Sequence, residues 1–415
     1  MKVLVITSAF PPMRAGEADQ ALHLARHLAD RGVDVHVLTT RGHLALPGYP
    51  FEVHPIMRDW SWWDLGRLAW FLRRCNPDAV LLMYIGWIYH RHPMITFAPT
   101  VSKLLRPRAV FVTQFANTSG ALRKQRSLPT RLIRRGLKQL TRKSGVSDEY
   151  GTLLRDSDRV IVLSDHHRAE LAELSPGLSG KTVLVPPPPI MVMAPPDEEA
   201  RRETRKALGV GPAGFLVAYL GYIYEGKGIE TLLKAFQIVS RRHGDVRLIL
   251  VGGTLARADP DRPSYSEDLL KLADQLGIAD RIRWTGEYRW DSDDGSRYLR
   301  AADAFVLSMD VGVQLNNSSF AAAAAHGLPI VATRGSKLEA PFVDGENVLL
   351  CPPKDPELMA AAIEALRADP ALRERLSAGV RRFAEEWFSW PRAIDRIMVA
   401  ATGSPSPSPQ GIPVS

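Results

Sequence analysis

Residues Phe215 to Phe236 read FLVAYLGYIYEGKGIETLLKAF, and this stretch decides how the rest of the chain is interpreted. It opens with a continuous apolar run, Phe215–Leu220, that has the length and composition of a buried strand. A loop containing Gly221, Gly226 and Gly228 follows, and apolar residues then recur at helical spacing. A strand, a glycine-rich turn and a helix in this order can bind an anion, because backbone N–H groups and the helix dipole converge on the turn.

Lys227 lies inside this turn and would add a full positive charge to the backbone donors. The alternative is an ordinary turn between a strand and a helix, with the lysine merely solvated, since glycine-rich turns are common. The stretch by itself favours neither interpretation. The Walker-type phosphate loop of ATPases is absent from the sequence, which argues against that class of enzyme.

Length and composition limit the class of protein. A chain of 415 residues suits two domains better than one core, and 45% hydrophobic with 24% charged residues is typical of globular proteins. No apolar run approaches the ~20 residues of a membrane-spanning helix. The only cysteines, Cys75 and Cys351, cannot form a disulfide framework, so a cytoplasmic location is predicted. The net charge of +8 favours anionic partners.

Strand-like runs alternate with helical patterns through both halves of the chain. This alternation predicts an α/β protein with two Rossmann-like, doubly wound parallel-sheet domains, which would face each other across a cleft. The strands are predicted at 3–6, 33–38, 79–83, 109–113, 159–163 and 183–185, and then at 215–220, 246–251, 282–284, 304–307, 329–332 and 348–350. The predicted segments are an N-terminal domain at 1–185, a proline-rich linker at 186–205, a C-terminal domain at 206–385, a C-terminal helix at 386–401 and a disordered tail at 402–415.

Several longer motifs follow one another in a characteristic order. They are FPPMRAGEADQALHLARHL near the start and then LGYIYEGKGIETLLKAF, VRLILVGG, AADAFVLS, HGLPIVAT and FVDGENVLLCPP. Their succession resembles the GT-B glycosyltransferases, specifically the retaining glycosyltransferase family 4, or glycosyl transferases group 1, over nearly the whole chain. The resemblance implies transfer from a nucleotide-diphosphate sugar, with retention, to a glycan, lipid-linked or small-molecule acceptor. It implies no further cofactor, and a C-terminal helix that crosses back to the N-terminal, acceptor-binding domain.

The resemblance also assigns residues to the donor. Lys227 matches the family's phosphate-binding and catalytic lysine, and Gly16 matches a glycine whose N–H reaches the diphosphate. The family's phosphate-binding arginine falls on Tyr222. Its two glutamates, spaced as Glu-x7-Glu, fall on Gln314 and Ala322, so this motif is degenerate. Gln314 could still hydrogen-bond to the donor sugar, whereas Ala322 cannot bind the ribose.

Other residues are assigned to the donor and to the acceptor. Asn317, Ser318 and Ser319 precede a helix, and we expect their backbone and hydroxyl donors to bind the diphosphate; the alternative is ordinary helix capping. The nucleotide is assigned to Gly221, Tyr288 and Glu339 by the resemblance. The weaker acceptor-side candidates follow a predicted strand and are Tyr84, Trp87 and His90. No spacing of His, Cys and carboxylates is typical of a metal site.

Residues 121–143 carry many basic side chains interleaved with leucines and contain no acid. This pattern favours peripheral contact with an anionic membrane, although a solvated basic face or a patch for an anionic soluble acceptor fits as well. Two other functions remain open: a degenerate relative that binds nucleotide sugar or a partner without transfer, and a sugar-nucleotide epimerase. Nucleic-acid binding is not expected, because no motif combines basic and stacking residues.

Overall fold

The computed structural model describes residues 1–42, 48–117, 149–178, 180–254 and 264–403. The chain divides into two compact units, Met1–Pro186 together with Trp390–Ser415, and Pro187–Ser389. Each unit contains one sheet flanked by helices, so the predicted fold class of two doubly wound α/β domains is confirmed. The predicted membrane-facing segment at 121–143 and most of the predicted tail lie outside the described residues.

The first unit is built on a seven-stranded parallel sheet. Its strands are β1 Lys2–Ile6, β2 Asp34–Thr40, β3 Glu52–Met57, β4 Ala79–Tyr84, β5 Val110–Phe115, β6 Arg159–Val162 and β7 Thr182–Leu184. The α-helices described between β1 and β7 are α1 Gly16–Asp30, α2 Leu65–Cys75, α3 Ala98–Leu105, α4 Leu153–Asp156 and α5 Asp165–Leu174. The strand order is β3-β2-β1-β4-β5-β6-β7, so the direction of winding reverses between β1 and β4. Ligand sites of such sheets lie at this switch point, outside the carboxyl ends of the strands.

The second unit repeats this plan with six parallel strands. They are β8 Phe215–Leu220, β9 Val246–Val251, β10 Ile282–Gly286, β11 Ala304–Leu307, β12 Ile330–Thr333 and β13 Leu349–Cys351. The helices are α6 Glu198–Ala207, α7 Ile229–Arg242, α8 Tyr265–Gln275, α9 Asp294–Ala301, α10 Ser318–Ala325, α11 Pro356–Ala368 and α12 Pro370–Trp387. The order β10-β9-β8-β11-β12-β13 puts the switch point between β8 and β11.

The C-terminal helix α13, Trp390–Ala401, belongs to the first unit. The rings of Trp390 and His27 stack with centroids 4.4 Å apart, and Arg31 pairs with Asp395 at 3.0 Å. The helix starts later than the predicted residue 386, because α12 continues to Trp387. Pro391 lacks an N–H group and therefore fits only the first turn of a new helix.

Two further elements differ from the sequence-based expectation. Strand β3 was not predicted, because its sequence EVHPIM is half polar and contains Pro55; proline is tolerated here since β3 is an edge strand. Helix α6 begins inside the predicted linker, where Asp197 Oδ1 accepts hydrogen bonds from the N–H groups of Glu199 and Ala200 at 2.9 and 3.1 Å. None of the helices in the described residues is both long and apolar enough to cross a membrane.

Candidate functional site

The loops that follow β8 and β11 meet at the switch point of the second sheet. The Asp310 N–H donates to the Gly226 carbonyl at 3.0 Å, and Ser308 Oγ donates to the Lys227 carbonyl at 2.8 Å. The glycine-rich turn is therefore fixed by its backbone to the segment that leaves β11. These two bonds place the turn at the carboxyl edge of the sheet.

Two glycines allow this close approach. Gly228 has φ +68°, and a Cβ atom there would overlap the carbonyl oxygen of Ser308. Gly221 has φ +132°, and its Cβ would lie 2.9 Å from Ser319 Oγ, in the first turn of α10. Only glycine adopts both backbone conformations without strain and leaves room for these neighbours. The turn thus lies directly beside the N-terminus of α10.

Lys227 is partly exposed within the turn. Its Nζ lies 4.9 Å from the centroid of the Tyr224 ring, and its backbone N–H donates to the Tyr224 carbonyl at 3.2 Å. In the part of the chain that the structure describes, no carboxylate forms an ion pair with this ammonium. Its charge is therefore available to an anion that approaches the turn.

Helix α10 begins at Ser318 without a side-chain cap. Its N-cap residue is Asn317, but Asn317 Oδ1 accepts a hydrogen bond from the Gln314 N–H at 2.7 Å and none from the helix. The alternative interpretation of ordinary capping by Asn317 is therefore wrong. The side chain of Asn317 therefore leaves the N–H groups of the first turn of α10 to another acceptor. This turn lies beside the glycine-rich loop, since Ser319 is close to Gly221.

Glu339 supports the segment that precedes α10. The carboxylate is buried, with 7% exposure, and its Oε2 accepts a hydrogen bond from the Leu315 N–H at 2.5 Å. This bond fixes the backbone beside Gln314, whose side chain is only partly buried. Glu339 is the carboxylate that the resemblance assigns to the nucleotide. One of its two oxygens is therefore already bonded to the protein backbone.

A neutral histidine connects α10 to α9. His326 Nδ1 lies 2.7 Å from the Ala322 carbonyl, which can only accept, so this nitrogen carries the proton. His326 Nε2 accordingly accepts from Ser296 Oγ at 2.6 Å, and Ser296 Oγ accepts from the Ala194 N–H at 2.9 Å. Burial lowers the pKa of His326 to about 4, which keeps the ring neutral. Ala322, whose carbonyl contacts His326, is itself buried, with 2% exposure.

Tyr288 lies farther along the same edge. It follows β10, which is separated from β8 by β9, and its ring covers the start of α9, where a Cβ on Gly295 would lie 2.7 Å from Tyr288 Cζ. The structure brings together the turn around Lys227 and the start of α10 around Asn317. Tyr288 itself packs its ring on α9.

The first unit has its own cluster at the switch point between β1 and β4. Gly16 is the first residue of α1, and the N-cap residue Ala15 has no side chain that could cap the helix. Next to Gly16, burial raises the pKa of the Glu17 carboxylate, and the nearby Trp87 side chain partly offsets this effect. Gly16 and Trp87 therefore lie close together, beside the switch point between β1 and β4 in this unit.

The other two acceptor-side candidates lie in different surroundings. Tyr84 is 7% exposed, and its ring packs against Phe115 and Tyr150 with centroids 5.4 and 6.0 Å apart. Burial raises the pKa of its hydroxyl to about 12. His90 is exposed in a loop, with φ +52°. Tyr84 thus contributes mainly to the core, whereas His90 is accessible.

Sequence reasoning missed two carboxylates in this cluster. Burial raises the pKa of Glu17, and burial together with the neighbouring Glu17 raises the pKa of Asp19 to about 7. The available signal was a pair of acids directly after Gly16, in the first turn of a helix, where acids are usual for electrostatic reasons alone. Both side chains are partly buried in the structure, and this partial burial depends on the tertiary structure and is not visible in that spacing.

Two family models match successive parts of the chain. "Glycosyltransferase Family 4" matches residues 16–188, and "Glycosyl transferases group 1" matches residues 214–369. The first match covers most of the first unit and begins at Gly16. The second begins just before β8 and includes the turn around Lys227 and helix α10.

Curated relatives are similar over part of their length. A D-inositol 3-phosphate glycosyltransferase of Thermomonospora curvata is 32% identical over 206 residues, which is 49% of this chain and 46% of the relative. The lipopolysaccharide core biosynthesis glycosyltransferase LpsD of Rhizobium meliloti is 36% identical over 165 residues, 40% of this chain and 43% of the relative. The matches thus span about half the length of these relatives.

Solved structures share the fold over almost the entire chain. Anabaena Alr3699/HepE in complex with UDP and glucose superposes with a TM-score of 0.68 and 16% identity, covering 96% of this chain and 98% of that one. WaaG, a glycosyltransferase involved in lipopolysaccharide biosynthesis, gives 0.64 and 16%, covering 95% and 99%. At these identities the likeness concerns the fold alone. Because the two family models match most of the chain in succession, the protein belongs to the glycosyltransferases described as Glycosyltransferase Family 4 and Glycosyl transferases group 1.

Proposed function

We propose that the protein is a glycosyltransferase whose donor is a nucleotide-diphosphate sugar bound at the carboxyl edge of the second sheet. The observation that carries this proposal is the turn around Lys227, held beside the uncapped N-terminus of α10 at the switch point. A diphosphate needs several donors and positive charge. Backbone N–H groups, a helix dipole and one ammonium supply both.

The known relatives support the same class of donor and suggest acceptors. Alr3699/HepE has been crystallised with UDP-glucose, and curated relatives are named for transfer to D-inositol 3-phosphate or for lipopolysaccharide core synthesis. For this chain we propose a nucleotide sugar as donor and a phosphorylated polyol or a glycan as acceptor. Trp87 and His90 are the residues proposed to lie on the acceptor side.

The proposed chemistry needs no protein nucleophile. The bond from the anomeric carbon to the leaving phosphate oxygen breaks, the acceptor oxygen bonds to the same face of that carbon, and the acceptor proton passes to the leaving diphosphate. Lys227 and the N–H groups of α10 would stabilise the charge that develops on that diphosphate. Gln314 would orient the sugar by hydrogen bonds, and positioning then supplies the remaining acceleration. The anomeric configuration of the product, read by NMR, tests retention.

Replacement of Lys227 tests the donor site. We expect Lys227→Ala to weaken binding of the preferred nucleotide sugar by roughly 10- to 100-fold, the usual cost of one charge-assisted bond. The preferred sugar is first found from the thermal stabilisation of the full chain by UDP-, GDP- and ADP-sugars. The matched control is Lys234→Ala, which removes an exposed lysine from the same strand–turn–helix unit. Wild-type affinity in Lys227→Ala would refute the site.

Activity assays separate the proposal from its rivals. Gln314, Ala322 and Tyr222 motivate the alternative of a protein that binds nucleotide sugar without transfer. That protein would bind the donor but neither hydrolyse nor transfer it, whereas an epimerase would change the sugar without an acceptor. We also propose that Ser318 and Ser319 contact the donor diphosphate.

We make three further proposals, which concern the residues that contact the nucleotide, the cellular location of the protein and its contact with membranes. Tyr288 and Glu339 are proposed to contact the nucleotide, together with Gly221. We also propose a cytoplasmic location, since both cysteines are free and buried, and peripheral contact with anionic membranes through 121–143. Flotation with liposomes that contain or lack anionic lipid tests the membrane contact.

A further inference from the structure

Three metal-ligating side chains meet at the edge of the first sheet. In the parallel register of β2 and β3, His36 lies opposite Glu52 and Leu38 lies opposite His54. Since side chains alternate along a strand, His36, Glu52 and His54 all project from the same face. His36 Nδ1 lies 2.9 Å from His54 Nε2, and Glu52 Oε2 lies 3.4 Å from the first nitrogen and 3.5 Å from the second.

The triangle of these three atoms has the size of one face of a metal tetrahedron. A zinc ion with ligands at about 2.0–2.1 Å holds neighbouring ligand atoms about 3.3 Å apart. A hydrogen bond between the imidazoles explains the shortest edge, but it does not explain a carboxylate oxygen almost equidistant from both nitrogens. We propose that His36 Nδ1, His54 Nε2 and Glu52 Oε2 bind a divalent transition-metal ion of the zinc type.

Asp34 completes the surroundings expected of such a ligand. His36 is buried, with only 10% of its side chain exposed, and its Nε2 lies 3.2 Å from Asp34 Oδ1. The angle does not satisfy a hydrogen bond, so the contact is an ion-pair distance rather than an aligned bond. Ligating histidines usually have a carboxylate beside the far ring nitrogen, and Asp34 occupies this position next to His36 without forming a hydrogen bond to it.

The ligand types select the metal. Two imidazoles and one carboxylate suit zinc, cobalt, nickel or copper, whereas calcium and magnesium prefer oxygen ligands throughout. The Glu52 side chain is 69% exposed, so water has access to the fourth position of the tetrahedron. The site therefore has three protein ligands and one position open to solvent.

The position of the cluster indicates a structural role. Asp34 and Glu52 are the first residues of β2 and β3, so the cluster lies toward the amino ends of the strands. Ligands of such sheets bind at the opposite, carboxyl edge. A metal here would fasten the edge strand β3 to β2. A metal in this cluster would not depend on the proposed sugar transfer. The register of β2 and β3, rather than a short spacing in the sequence, assembles the ligands, so the sequence alone does not predict them.

Cobalt binding to the full-length chain tests the site. After treatment with a chelator, we expect the protein to bind one Co²⁺ with the strong visible absorption of a tetrahedral complex. Stoichiometric Zn²⁺ should displace the cobalt, and millimolar Mg²⁺ should not. His54→Ala and Glu52→Gln should each weaken binding at least 10-fold, and Zn²⁺ should raise the melting temperature of the wild type but not of His54→Ala.

The controls exclude unfolding and adventitious binding. Glu52 has 69% of its side chain accessible, so Glu52→Gln should melt like the metal-free wild type and separates loss of the metal from loss of packing. The matched control is His166→Gln on α5, because His166 Nε2 also lies 3.2 Å from a carboxylate, that of Glu170. Absence of the tetrahedral spectrum, wild-type affinity in His54→Ala, or equal weakening in His166→Gln would overturn the proposal.

Discussion

The environment of Asp19 disfavours the ionised form of its carboxyl group. Burial, reinforced by Glu17, raises its pKa from 3.8 to about 7. A carboxyl group with a raised folded-state pKa contributes stability that is complete below pH 3.8 and is lost as the pH rises through about 7. Above that pH, the folded protein carries an unfavourable, partly buried charge that the unfolded chain exposes fully to water.

We therefore expect Asp19→Asn to be more stable than the wild type at pH 8, by about 1–3 kcal/mol in the free energy of unfolding. The gap should shrink toward pH 4, where the wild-type carboxyl is protonated in the folded state. The loss of an acid near the helix N-terminus costs less than this gain. Urea unfolding at both pH values measures the difference. An Asp19→Asn variant that is less stable than the wild type at pH 8 would contradict the argument.

At the scale of elements, the turn between β8 and α7 depends on Gly228. Alanine there must adopt φ +68° and place its Cβ against the Ser308 carbonyl. Gly226 is the matched control, because it has φ +93° but no atom lies within 4 Å of the position that a Cβ would take there. The two variants therefore separate backbone strain from the steric overlap.

We expect Gly226→Ala to destabilise the second unit by about 1 kcal/mol and Gly228→Ala by about 2–4 kcal/mol. Gly228→Ala should also weaken nucleotide-sugar binding, since relief of the overlap moves the turn away from α10. Hydrogen exchange of the β8 amides reports the local free energy of opening. Equal effects of the two substitutions would show that the contact with Ser308 carries no energy.

Strands buried on both faces were predictable, and contacts fixed by tertiary structure were not. The strands at 215–220, 246–251 and 304–307 have the predicted bounds, because continuous apolar runs leave little ambiguity. β3 was missed because a half-polar edge strand lacks this signal. Asn317 could equally have capped α10, and only the folded loop shows its oxygen bonded to Gln314. The cluster of His36, Glu52 and His54 likewise depends on register between strands.

At the scale of the whole molecule, the chain returns to its first unit after completing the second. Helix α13 contributes buried side chains to the first unit: Ala393, Ile394, Ile397, Ala400 and Ala401. Full burial of one isoleucine is worth about 1.5–3 kcal/mol. The carbonyl of Gly403, just beyond the helix, accepts a hydrogen bond from Arg159 in β6 at 2.9 Å. The stability of the N-terminal half thus depends on the last described residues.

Truncation tests this dependence. A chain that stops after Ser389 loses α13, and we expect the amides of β4, β5 and β6 to exchange at least 10-fold faster, because the apolar surface that the helix covers becomes exposed. The amides of β8, β9 and β11 should keep their wild-type rates, although the deletion directly follows their own unit in sequence. A chain that stops after Gly403 retains α13 and its bond to Arg159, so its amides in β4, β5 and β6 should exchange more slowly than those of the chain that stops after Ser389. Unchanged exchange in β4 to β6, or equal acceleration in β8, would mean that the helix does not stabilise the first unit selectively.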